Sequence, residues 1–590
     1  MPKIPMDGKA AKRLLGYVWK GHKGQLIAVL ICILVSAITG VAGSLFTQRL
    51  IDDYITPLLL SPSPVFTGLL QAILMMAVVY LAGTLAAFAY NRIMVSVSQG
   101  VLKQIRDGLF ARMQALPIRY FDTHSHGDMM SRFTNDIDAI SDGLNQGIVQ
   151  LVSGVMTVLL SLAFMLSLNP MVTLVAVFVT PLCFLVGFAI TKYGSRRFKE
   201  QSRTLGRLNG YAEELISGQR TVKAFGYEDR AVDGFDAINA ELYQCGYRAQ
   251  FASALVNPST RFVNNVAYVL VGVFGILAVL KNALTPGGVA SFLTYTAQFS
   301  KPFNEITAIT MQLQLAMASA RRVFAVLDGE EQRPEPADAA RLEAAEGSVA
   351  FEHVRFAYQP ERPLITDFNL TVKPGMTVAI VGPTGAGKTT LVNLLMRFYE
   401  VDDGRIKVEG QDITGVTRDS LRRSFGMVLQ DTWLFAGTIR ENIAYGKPDA
   451  TDEEIEAAAR AAHAHSFIRR LPDGYGTLIA EDGGNLSQGQ KQLLTIARAI
   501  LLDSPMLILD EATSSVDILT EMRIQKAFRK MREGKTAFII AHRLSTIRDA
   551  DLILVLDKGD VVEQGTHGEL LEKGGFYASL YNSQFAGEEA

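Results

Sequence analysis

Residues 382–389 read Gly-Pro-Thr-Gly-Ala-Gly-Lys-Thr and fit the eight-residue pattern of a phosphate-binding loop. The apolar run 378–381 precedes the loop and a helix-compatible run, 391–395, follows it, which is the strand–loop–helix context that the pattern requires. Glycine backbone N–H groups can surround phosphate oxygens, Lys388 can reach the outer phosphates, and the Thr389 hydroxyl can bind Mg²⁺. The loop therefore predicts a site for a nucleoside triphosphate with Mg²⁺.

Two further runs carry groups suited to the same chemistry. Residues 506–511, Met-Leu-Ile-Leu-Asp-Glu, predict a strand that ends in two carboxylates: Asp510 suits the surroundings of Mg²⁺, and Glu511 can polarise an attacking water. Residues 486–490, Leu-Ser-Gln-Gly-Gln, open a predicted helix over 491–502 with Ser487 in a capping position. Free N–H groups and the positive end of the dipole at such a terminus attract an anion.

The elements before residue 326 are those of a membrane protein. The chain is 49% hydrophobic, with a mean hydropathy of +0.19. Segments 26–46, 69–91, 146–166, 171–191 and 262–280 contain no Asp, Glu, Lys or Arg, and a sixth, 287–310, includes Lys301 and Glu305. Each approaches the roughly 20 residues that cross a bilayer. A buried core could explain one such run but not six, so we expect six transmembrane helices.

The basic residues predict the orientation. Six Lys or Arg residues and one acid, Asp7, precede the first span, which places the N-terminus in the cytoplasm. An even number of spans returns the second half to the same side, so we expect a multi-pass protein of the inner (cytoplasmic) membrane. The net charge of −2 excludes no class. Cys32, Cys183 and Cys245 have neither metal-binding nor disulfide-framework spacing.

The connectors 92–143 and 192–254 alternate charged and apolar residues at helical spacing, which predicts that the spans continue far into the cytoplasm. Each has a turn near its midpoint, around residues 117–122 and 217–218. The tips are either solvated helical hairpins or short helices that dock into the nucleotide-binding domain. Docking would use Tyr120, Phe121, Asp122 and Phe225.

Together the three motifs resemble the nucleotide-binding domain of ATP-binding cassette (ABC) proteins. Residues 120–138, which begin Tyr-Phe-Asp, also resemble the first intracellular loop of ABC exporters, and this likeness favours docking. The whole chain resembles an exporter half-transporter of the type IV fold. The resemblance implies an α-helical six-span membrane domain with long cytoplasmic helix extensions over 1–325, a linker over 326–347 and an α/β P-loop ATPase domain over 348–590.

The resemblance also assigns roles to single residues. Tyr358 would stack on adenine, Gln430 would bind the metal and sense the membrane helices, and His542 would contact the γ-phosphate. Residues 514–517, Ser-Ser-Val-Asp, match a segment called the D-loop. The resemblance gives Glu511, His542 and Lys388 as catalytic and Thr389, Gln430 and Asp510 as metal-binding. The expected ATP-binding residues are Tyr358, Gly382, Pro383, Thr384, Gly385, Ala386, Gly387, Lys388, Thr389, Thr390, Gln430, Ser487, Gly489 and Gln490.

In the resembled family the motif at Ser487 holds ATP that is bound by the opposite cassette, so this chain must pair with a second subunit. Glu511, residues 514–517 and residues 298–305 look most like the Glu-bearing subunit of heterodimeric bacterial multidrug exporters. Gln488 stands where the common signature has Gly. This substitution fits a heterodimer with one weaker site, and it also occurs in working homodimers.

The expected function is ATP-driven, multidrug-type export of hydrophobic or amphipathic compounds across the cytoplasmic membrane by a dimer that contains this chain. A homodimeric lipid flippase or a peptide exporter is the alternative within the class. An ATP-gated channel or regulatory subunit is the alternative outside it. The expected partners are a second half-transporter, membrane lipid and a small amphipathic substrate, and the six spans argue against action on nucleic acid.

Lys301 and Glu305 allow two interpretations. At about 1.5 Å rise per residue, Lys301 lies roughly 21 Å along the sixth span from Gly287, still inside a hydrocarbon core about 30 Å thick. Ionisable residues at that depth usually face a cavity, which suggests a substrate path. Alternatively the two side chains form an i,i+4 ion pair that stabilises only the helix.

Overall fold

The computed structural model describes residues 8–60, 62, 65–343, 345–430, 432–480, 483–511, 518–541 and 547–585. The chain divides into two compact units. One contains the residues up to Leu116 together with His124–Glu330, and the other contains Pro117–Thr123 and the residues from Glu331 onward.

The first half of the chain is built from long helices. Two π-helical turns, Leu50–Ile55 and Gly143–Ile148, interrupt the α-helical segments. The α-helices are α1 (Gly8–Arg49), α2 (Thr56–Leu60), α3 (Thr67–Ala115), α4 (Ile118–Thr123), α5 (His126–Phe133), α6 (Asn135–Asp142), α7 (Val149–Leu168), α8 (Pro170–Ser217), α9 (Gln219–Ala224), α10 (Glu228–Ala254), α11 (Val256–Leu280) and α12 (Pro286–Leu327).

All six predicted spans lie on helices of this unit. Within the described residues, four helical stretches are long and apolar enough to cross a membrane: Gly8–Leu59, Thr67–Ala115, His126–Leu168 and Glu228–Leu280. A shorter apolar stretch covers Pro170–Val179 at the start of α8. The predicted sixth span lies on α12, which runs through Pro302 and carries Lys301 and Glu305. The number six therefore stays a prediction, while the helical membrane domain is confirmed.

Small residues bring the helices of this unit together. A side chain at Gly43 of α1 would collide with Tyr80 of α3, and one at Gly83 of α3 would collide with Thr39 of α1. Close approach at small residues is the usual way in which helices associate where lipid removes the hydrophobic driving force. Buried apolar residues of several helices also form a cluster in this unit. Its members are Val41, Met165, Val172, Ala176, Val271, Phe292, Tyr295 and Phe299.

The prediction that the connectors are helical is confirmed. Helix α3 continues to Ala115 and α8 continues to Ser217, well beyond the predicted spans. A short helix follows at each turn: α4 after Leu116 and α9 after Gly218. Helix α4 lies in the second unit rather than the first.

The second unit contains two main sheets. The strands are β1 (Val349–Phe356), β2 (Ile365–Val372), β3 (Thr377–Val381), β4 (Asp403–Val408), β5 (Gln411–Asp412), β6 (Phe425–Val428), β7 (Gly437–Thr438), β8 (Leu478–Ile479), β9 (Met506–Glu511), β10 (Thr536–Ala541), β11 (Leu552–Asp557) and β12 (Asp560–Gly565). The helices are α13 (Lys388–Leu395), α14 (Arg418–Arg423), α15 (Ile439–Ile443), α16 (Asp452–Ala461), α17 (His465–Ile468), α18 (Gln488–Leu502), α19 (Ile518–Arg532), α20 (His567–Glu572) and α21 (Phe576–Phe585).

The topology of the larger sheet determines where functional residues can meet. Its order is β12-β11-β3-β10-β9-β6, and β11, β3, β10, β9 and β6 run parallel, whereas β12 is antiparallel. The other sheet, β2-β1-β4-β5, is antiparallel, and β7 pairs with β8. Parallel strands end at one edge of a sheet, so the residues that follow β3, β6, β9 and β10 gather at that edge.

The predicted linker, 326–347, differs slightly from the structure. Helix α12 ends at Leu327, so the helix includes the first two residues assigned to the linker. Part of the remainder packs on the second unit: Glu335 accepts a hydrogen bond from the backbone N–H of Arg418, and Ala340 bridges to Val416.

Candidate ATP site and membrane cavity

The phosphate loop connects β3 to α13 in the predicted order. Gly382, Gly385 and Gly387 have φ values of +154°, +84° and +96°. Glycine adopts this region without the penalty that a Cβ imposes. At Gly382 a Cβ would also collide with the Leu556 carbonyl. The loop thus has the tight backbone that cradles phosphate groups.

Lys388 occupies the position that the phosphates of ATP would approach. Its ammonium donates hydrogen bonds to the carbonyls of Gly382 (2.8 Å) and Pro383 (3.0 Å), and the side chain is buried. Burial lowers the pKa of Lys388 below its ordinary value, and the nearby Asp510 carboxylate partly offsets that shift. A buried ammonium whose hydrogen bonds go to neutral carbonyls favours the arrival of an anion.

The next hydroxyls face different surroundings. Thr389 is exposed at the start of α13, whereas Thr390 is buried and its hydroxyl lies 3.2 Å from the Tyr358 hydroxyl. Tyr358 is 36% exposed, and its ring packs edge-on against Phe356 and Tyr399, with ring centroids 4.9 and 5.0 Å from theirs. Tyr358 is therefore partly exposed, with its hydroxyl beside the residue that follows the phosphate loop.

The oxygen donors expected to bind Mg²⁺ follow neighbouring strands. Asp510 is buried near the end of β9, and Gln430 is exposed two residues after β6. With the exposed Thr389 hydroxyl, they would offer oxygen ligands of the kind that Mg²⁺ prefers. Mg²⁺ usually takes one or two protein oxygens together with substrate phosphates and water, so this set fits the ion. Within the described ranges no group of three His, Cys, Asp or Glu residues could hold a metal by itself.

Three of the predicted elements lie outside the described part of the chain. They are His542, the segment 514–517 and the side chain of Glu511. The backbone of Glu511 is the last residue of β9 and pairs with Ala541 at the end of β10. Strand pairing therefore brings the backbone of Glu511 beside the residue that precedes His542.

The prediction that Ser487 caps a helix is confirmed. Helix α18 begins at Gln488, and the Ser487 hydroxyl accepts a hydrogen bond from the Gln490 N–H (3.3 Å). The Gln490 side chain accepts in turn from the Ser487 N–H (2.9 Å), which completes a capping box. Gly489 is buried in the first turn.

Gln488 makes a contact that its sequence did not predict. Its side-chain amide donates to the hydroxyl of Thr432 (3.1 Å), two residues beyond Gln430. A glycine at position 488 could not make this bond. The start of α18 is thereby joined to the segment that follows β6.

Helix α4 contacts residues that follow β1 and α13 in the same unit. The Tyr399 hydroxyl donates to the Asp122 carboxylate, and the Arg119 guanidinium donates to the Tyr358 carbonyl (3.1 Å). Burial, and secondarily the Asp122 carboxylate, raises the pKa of the Tyr399 hydroxyl above its ordinary value. Because the Tyr399 ring also packs on Tyr358, α4 is connected to the predicted adenine-stacking residue by both side chain and backbone.

The surroundings of the other predicted docking residues, Tyr120, Phe121 and Phe225, do not decide whether they dock. Tyr120 and Phe121 are half-buried and pack edge-on, with centroids 5.8 Å apart. Phe225 follows α9 and is 81% exposed. Docking by these three residues remains a prediction.

Lys301 and Glu305 both line a cavity of about 430 Å³ in the helical unit. No ion pair within 4 Å joins the two side chains, both of which belong to the described residues, so the alternative of a self-contained pair is not realised. Pro302 lies between them and also faces the cavity. The cavity, called here the central cavity, is lined by Ser36, Ala37, Gly40, Val41, Tyr90, Val149, Gln150, Ser153, Gly154, Thr157, Gln298, Lys301, Pro302 and Glu305.

Comparison with known proteins identifies the family. The model of the ABC transporter transmembrane region matches residues 26–303, and the ABC transporter model matches residues 365–514. An uncharacterised ABC transporter ATP-binding protein of Bacillus subtilis is 42% identical over 597 residues, which cover 99% of this chain and 98% of that protein. The chain belongs to the ABC transporter family.

Two further proteins narrow the comparison. A protein of Mycobacterium tuberculosis named fatty acid ABC transporter ATP-binding/permease protein is 48% identical over 515 residues, which cover 87% of this ABC transporter and 81% of its relative. A bacterial Atm1-family ABC exporter solved with ATP bound has a TM-score of 0.75 at 28% identity, and the match covers 96% of this chain and 98% of that one. This ABC transporter thus has the exporter fold, and its ATPase domain hydrolyses ATP to drive transport.

Two side-chain contacts of this ABC transporter had no sequence signal. The Asp122–Tyr399 bond joins residues 277 positions apart, and the Gln488–Thr432 bond joins residues 56 positions apart. Tyr399 and Thr432 belong to none of the predicted motifs. Only the fold brings them to their partners.

Proposed function

We propose that this protein exports hydrophobic or amphipathic compounds from the cytoplasmic side of the inner membrane, driven by ATP hydrolysis. The observation that carries the proposal is the central cavity. Apolar residues of α1 and α7 line it together with the ionisable Lys301 and Glu305. Such a mixed lining suits a compound with an apolar body and a polar or charged group.

Within that class, a lipid-like acid is favoured over a broad range of drugs. The relative from Mycobacterium tuberculosis, at 48% identity, is named for fatty acid. Lys301 provides a positive charge in the cavity that could attract a carboxylate, and Glu305 would disfavour an acid placed beside it. Both side chains would therefore orient an acidic amphipath within the cavity.

Transport into inside-out membrane vesicles tests this function. Vesicles that contain the protein should take up a labelled long-chain fatty acid when ATP is added, and uptake should exceed that of a cationic dye. Lys301→Met should reduce fatty acid uptake severalfold while basal ATPase stays near normal. Lys281→Met is the matched control, because Lys281 is exposed after α11 and does not line the central cavity. Equal uptake by both variants would reject a role for Lys301.

The ATP site has the roles that the resemblance assigns. Tyr358 stacks on adenine, the loop from Gly382 to Thr390 binds the phosphates, and Thr389, Gln430 and Asp510 bind Mg²⁺. Glu511 and His542 orient the attacking water and the γ-phosphate. The described geometry of the loop, of Lys388 and of the sheet edge supports this assignment.

The chain acts as one half of a dimer, since a single polypeptide supplies one phosphate loop and one signature helix. We favour a heterodimer because Glu511, residues 514–517 and residues 298–305 resemble the Glu-bearing subunit of heterodimeric exporters, whereas Gln488 is compatible with either arrangement. Purified chain expressed alone should then lack substrate-stimulated ATPase and regain it when co-expressed with a second half-transporter. Full stimulated ATPase from the chain alone would establish a homodimer instead.

A further inference from the structure

A second cavity lies between α1 and α3 at the end of α1. It has a volume of about 440 Å³ and is separate from the central cavity, because the two share no lining residue. Its walls are mainly apolar. We call it the Arg49 cavity, and it is lined by Ala42, Leu45, Phe46, Arg49, Tyr54, Gly68, Gln71, Ala72, Met75, Met76 and Val79.

Arg49 is the one charged residue in this lining, and it forms no ion pair with any residue in the described part of the chain. The nearest acid along the chain, Asp52, is committed elsewhere. Its carboxylate accepts hydrogen bonds from the Thr285 hydroxyl (2.5 Å) and from the Gly287 N–H (2.9 Å) at the start of α12. The Arg49 side chain is exposed, so an anionic ligand can reach its guanidinium from beside the apolar walls.

The backbone beside the Arg49 cavity departs from a regular α-helix. The π-helical turn Leu50–Ile55 begins directly after Arg49, and such turns frequently occur at functional sites. Tyr54 of this turn lines the cavity, and its ring lies against Gly68 at the start of α3, where a Cβ would be 3.4 Å away. Gly68 therefore leaves room for the Tyr54 ring at the cavity wall.

We propose that the Arg49 cavity binds a single-chain amphipathic carboxylate, with the carboxylate on Arg49 and the alkyl chain along Phe46, Ala72 and Met76. Arginine presents two parallel N–H groups that match a carboxylate. The volume of about 440 Å³ lies within the range of roughly 300–1,000 Å³ that is usual for small-molecule sites, and the apolar walls suit an alkyl chain. Met75 on the rim is 71% exposed, which leaves the cavity open on one side.

This inference deepens the proposed function and rests on it. With the N-terminus in the cytoplasm, Arg49 follows the first span and lies at the outer side of the membrane. The central cavity contains Lys301, which lies in the first half of α12. The Arg49 cavity is thus a second site for the same acid, on the side where an exported compound leaves.

Photocrosslinking tests the site without requiring transport. Full-length protein in lipid nanodiscs is incubated with a diazirine analogue of palmitate, irradiated, and mapped by peptide mass spectrometry. Label should appear in the segments 42–54 and 67–79, and unlabelled palmitate should compete with it far better than methyl palmitate or palmitylamine. Equal competition by the methyl ester would overturn the assignment to a carboxylate, as would displacement by phosphatidylglycerol.

Substitutions test separately the charge of Arg49 and the shape of the cavity. Arg49→Gln should weaken palmitate competition about 10- to 100-fold, the range for a charge-assisted hydrogen bond, and Arg49→Lys should lose less. Lys281→Gln, which removes a charge from an exposed residue outside the cavity, should behave like the unaltered protein. Ala72→Phe should block labelling while Arg49 remains. Equal affinity in Arg49→Gln and Lys281→Gln would overturn the proposal.

A failure of the proposed function and a failure of the Arg49 site give different results. If Arg49→Gln loses binding but vesicles show no ATP-driven uptake of any amphipath, the proposed function fails and the binding site stands. If ATP-driven uptake proceeds while Arg49→Gln binds palmitate with unchanged affinity, the site fails and the proposed function stands.

Discussion

At the scale of single residues, Lys388 shows how the nucleotide site is prepared. Its ammonium is buried against two neutral carbonyls, and burial lowers its pKa. The charged form therefore lacks compensation apart from Asp510, and phosphate groups would supply it. Much of the binding free energy of ATP should depend on this side chain.

Lys388→Ala should abolish stabilisation by nucleotide. ATP at about a hundred times its Kd stabilises a protein by about 2.7 kcal/mol, and thermal unfolding of the purified transporter with and without ATP measures this difference. Glu511→Gln is the matched comparison. It should keep the ATP-induced rise in Tm while turnover falls by a factor of roughly 10²–10³, as expected for one catalytic electrostatic group. Normal hydrolysis by Glu511→Gln would remove Glu511 from the mechanism.

Gln488 should act through Thr432. A neutral hydrogen bond contributes about 0.5–1.5 kcal/mol, so Gln488→Ala and Thr432→Val should each change ATP turnover severalfold. The double variant should be no worse than either single one. The measurement is a double-mutant cycle on ATPase rates. Thr414→Val is the control, since Thr414 bonds to Asp412 instead, and its effect should multiply with that of Gln488→Ala. Independent effects of Gln488 and Thr432 would mean that the bond has no role in turnover.

The sequence predicts this site unevenly, for a physical reason. The phosphate loop, the strand ending in Asp510 and the cap at Ser487 are local patterns, because neighbouring residues alone determine the strand–loop–helix turn and the capping box. Contacts such as Gln488–Thr432 depend on how distant segments meet, and no local pattern encodes them. The sequence predicts the setting of Lys301 and Glu305 only in part. Their depth in the membrane suggests a cavity, and the structure excludes the ion pair between them.

At the scale of elements, we propose that α4 transmits events in the membrane helices to the ATP site. It follows α3 directly, and the contacts of Asp122 and Arg119 reach Tyr399 and the backbone of Tyr358. The sequence predicted that a short helix would dock, and the periodicity of α3 and α8 predicted their extension. The sequence could not identify Tyr399 as the residue that binds Asp122, since Tyr399 follows α13 outside every motif.

Tyr399→Phe should weaken coupling between substrate and ATPase. It removes the hydroxyl that binds Asp122 but keeps the ring against Tyr358. For a hydrogen bond worth about 1 kcal/mol, the ratio of fatty-acid-stimulated to basal ATPase should fall about fivefold. Tyr475→Phe is the control, because Tyr475 bonds to His465 within the same unit. An unchanged ratio in Tyr399→Phe, or an equal fall in the control, would contradict the role of α4.

At the scale of the whole molecule, one chain supplies half of a transporter. Its phosphate loop and Glu511 would serve one ATP site, and its Ser487 and Gln488 would serve the other. In the heterodimer that we favour, Ser487→Ala should reduce ATPase only modestly, whereas Glu511→Gln should nearly abolish it. ATPase rates of the two variants in the assembled transporter decide this point. Equal losses would indicate two equivalent sites and therefore a homodimer.

We expect ATP hydrolysis to move an amphipathic compound outward through this protein. The most direct measurement uses purified transporter reconstituted in proteoliposomes with the ATPase domain facing the external solution. Labelled fatty acid should accumulate in the lumen against its gradient when ATP and Mg²⁺ are added, and Glu511→Gln should prevent accumulation. Flux that only follows the gradient, with ATP opening the path and Glu511→Gln leaving it unchanged, would contradict the claim and indicate an ATP-gated channel.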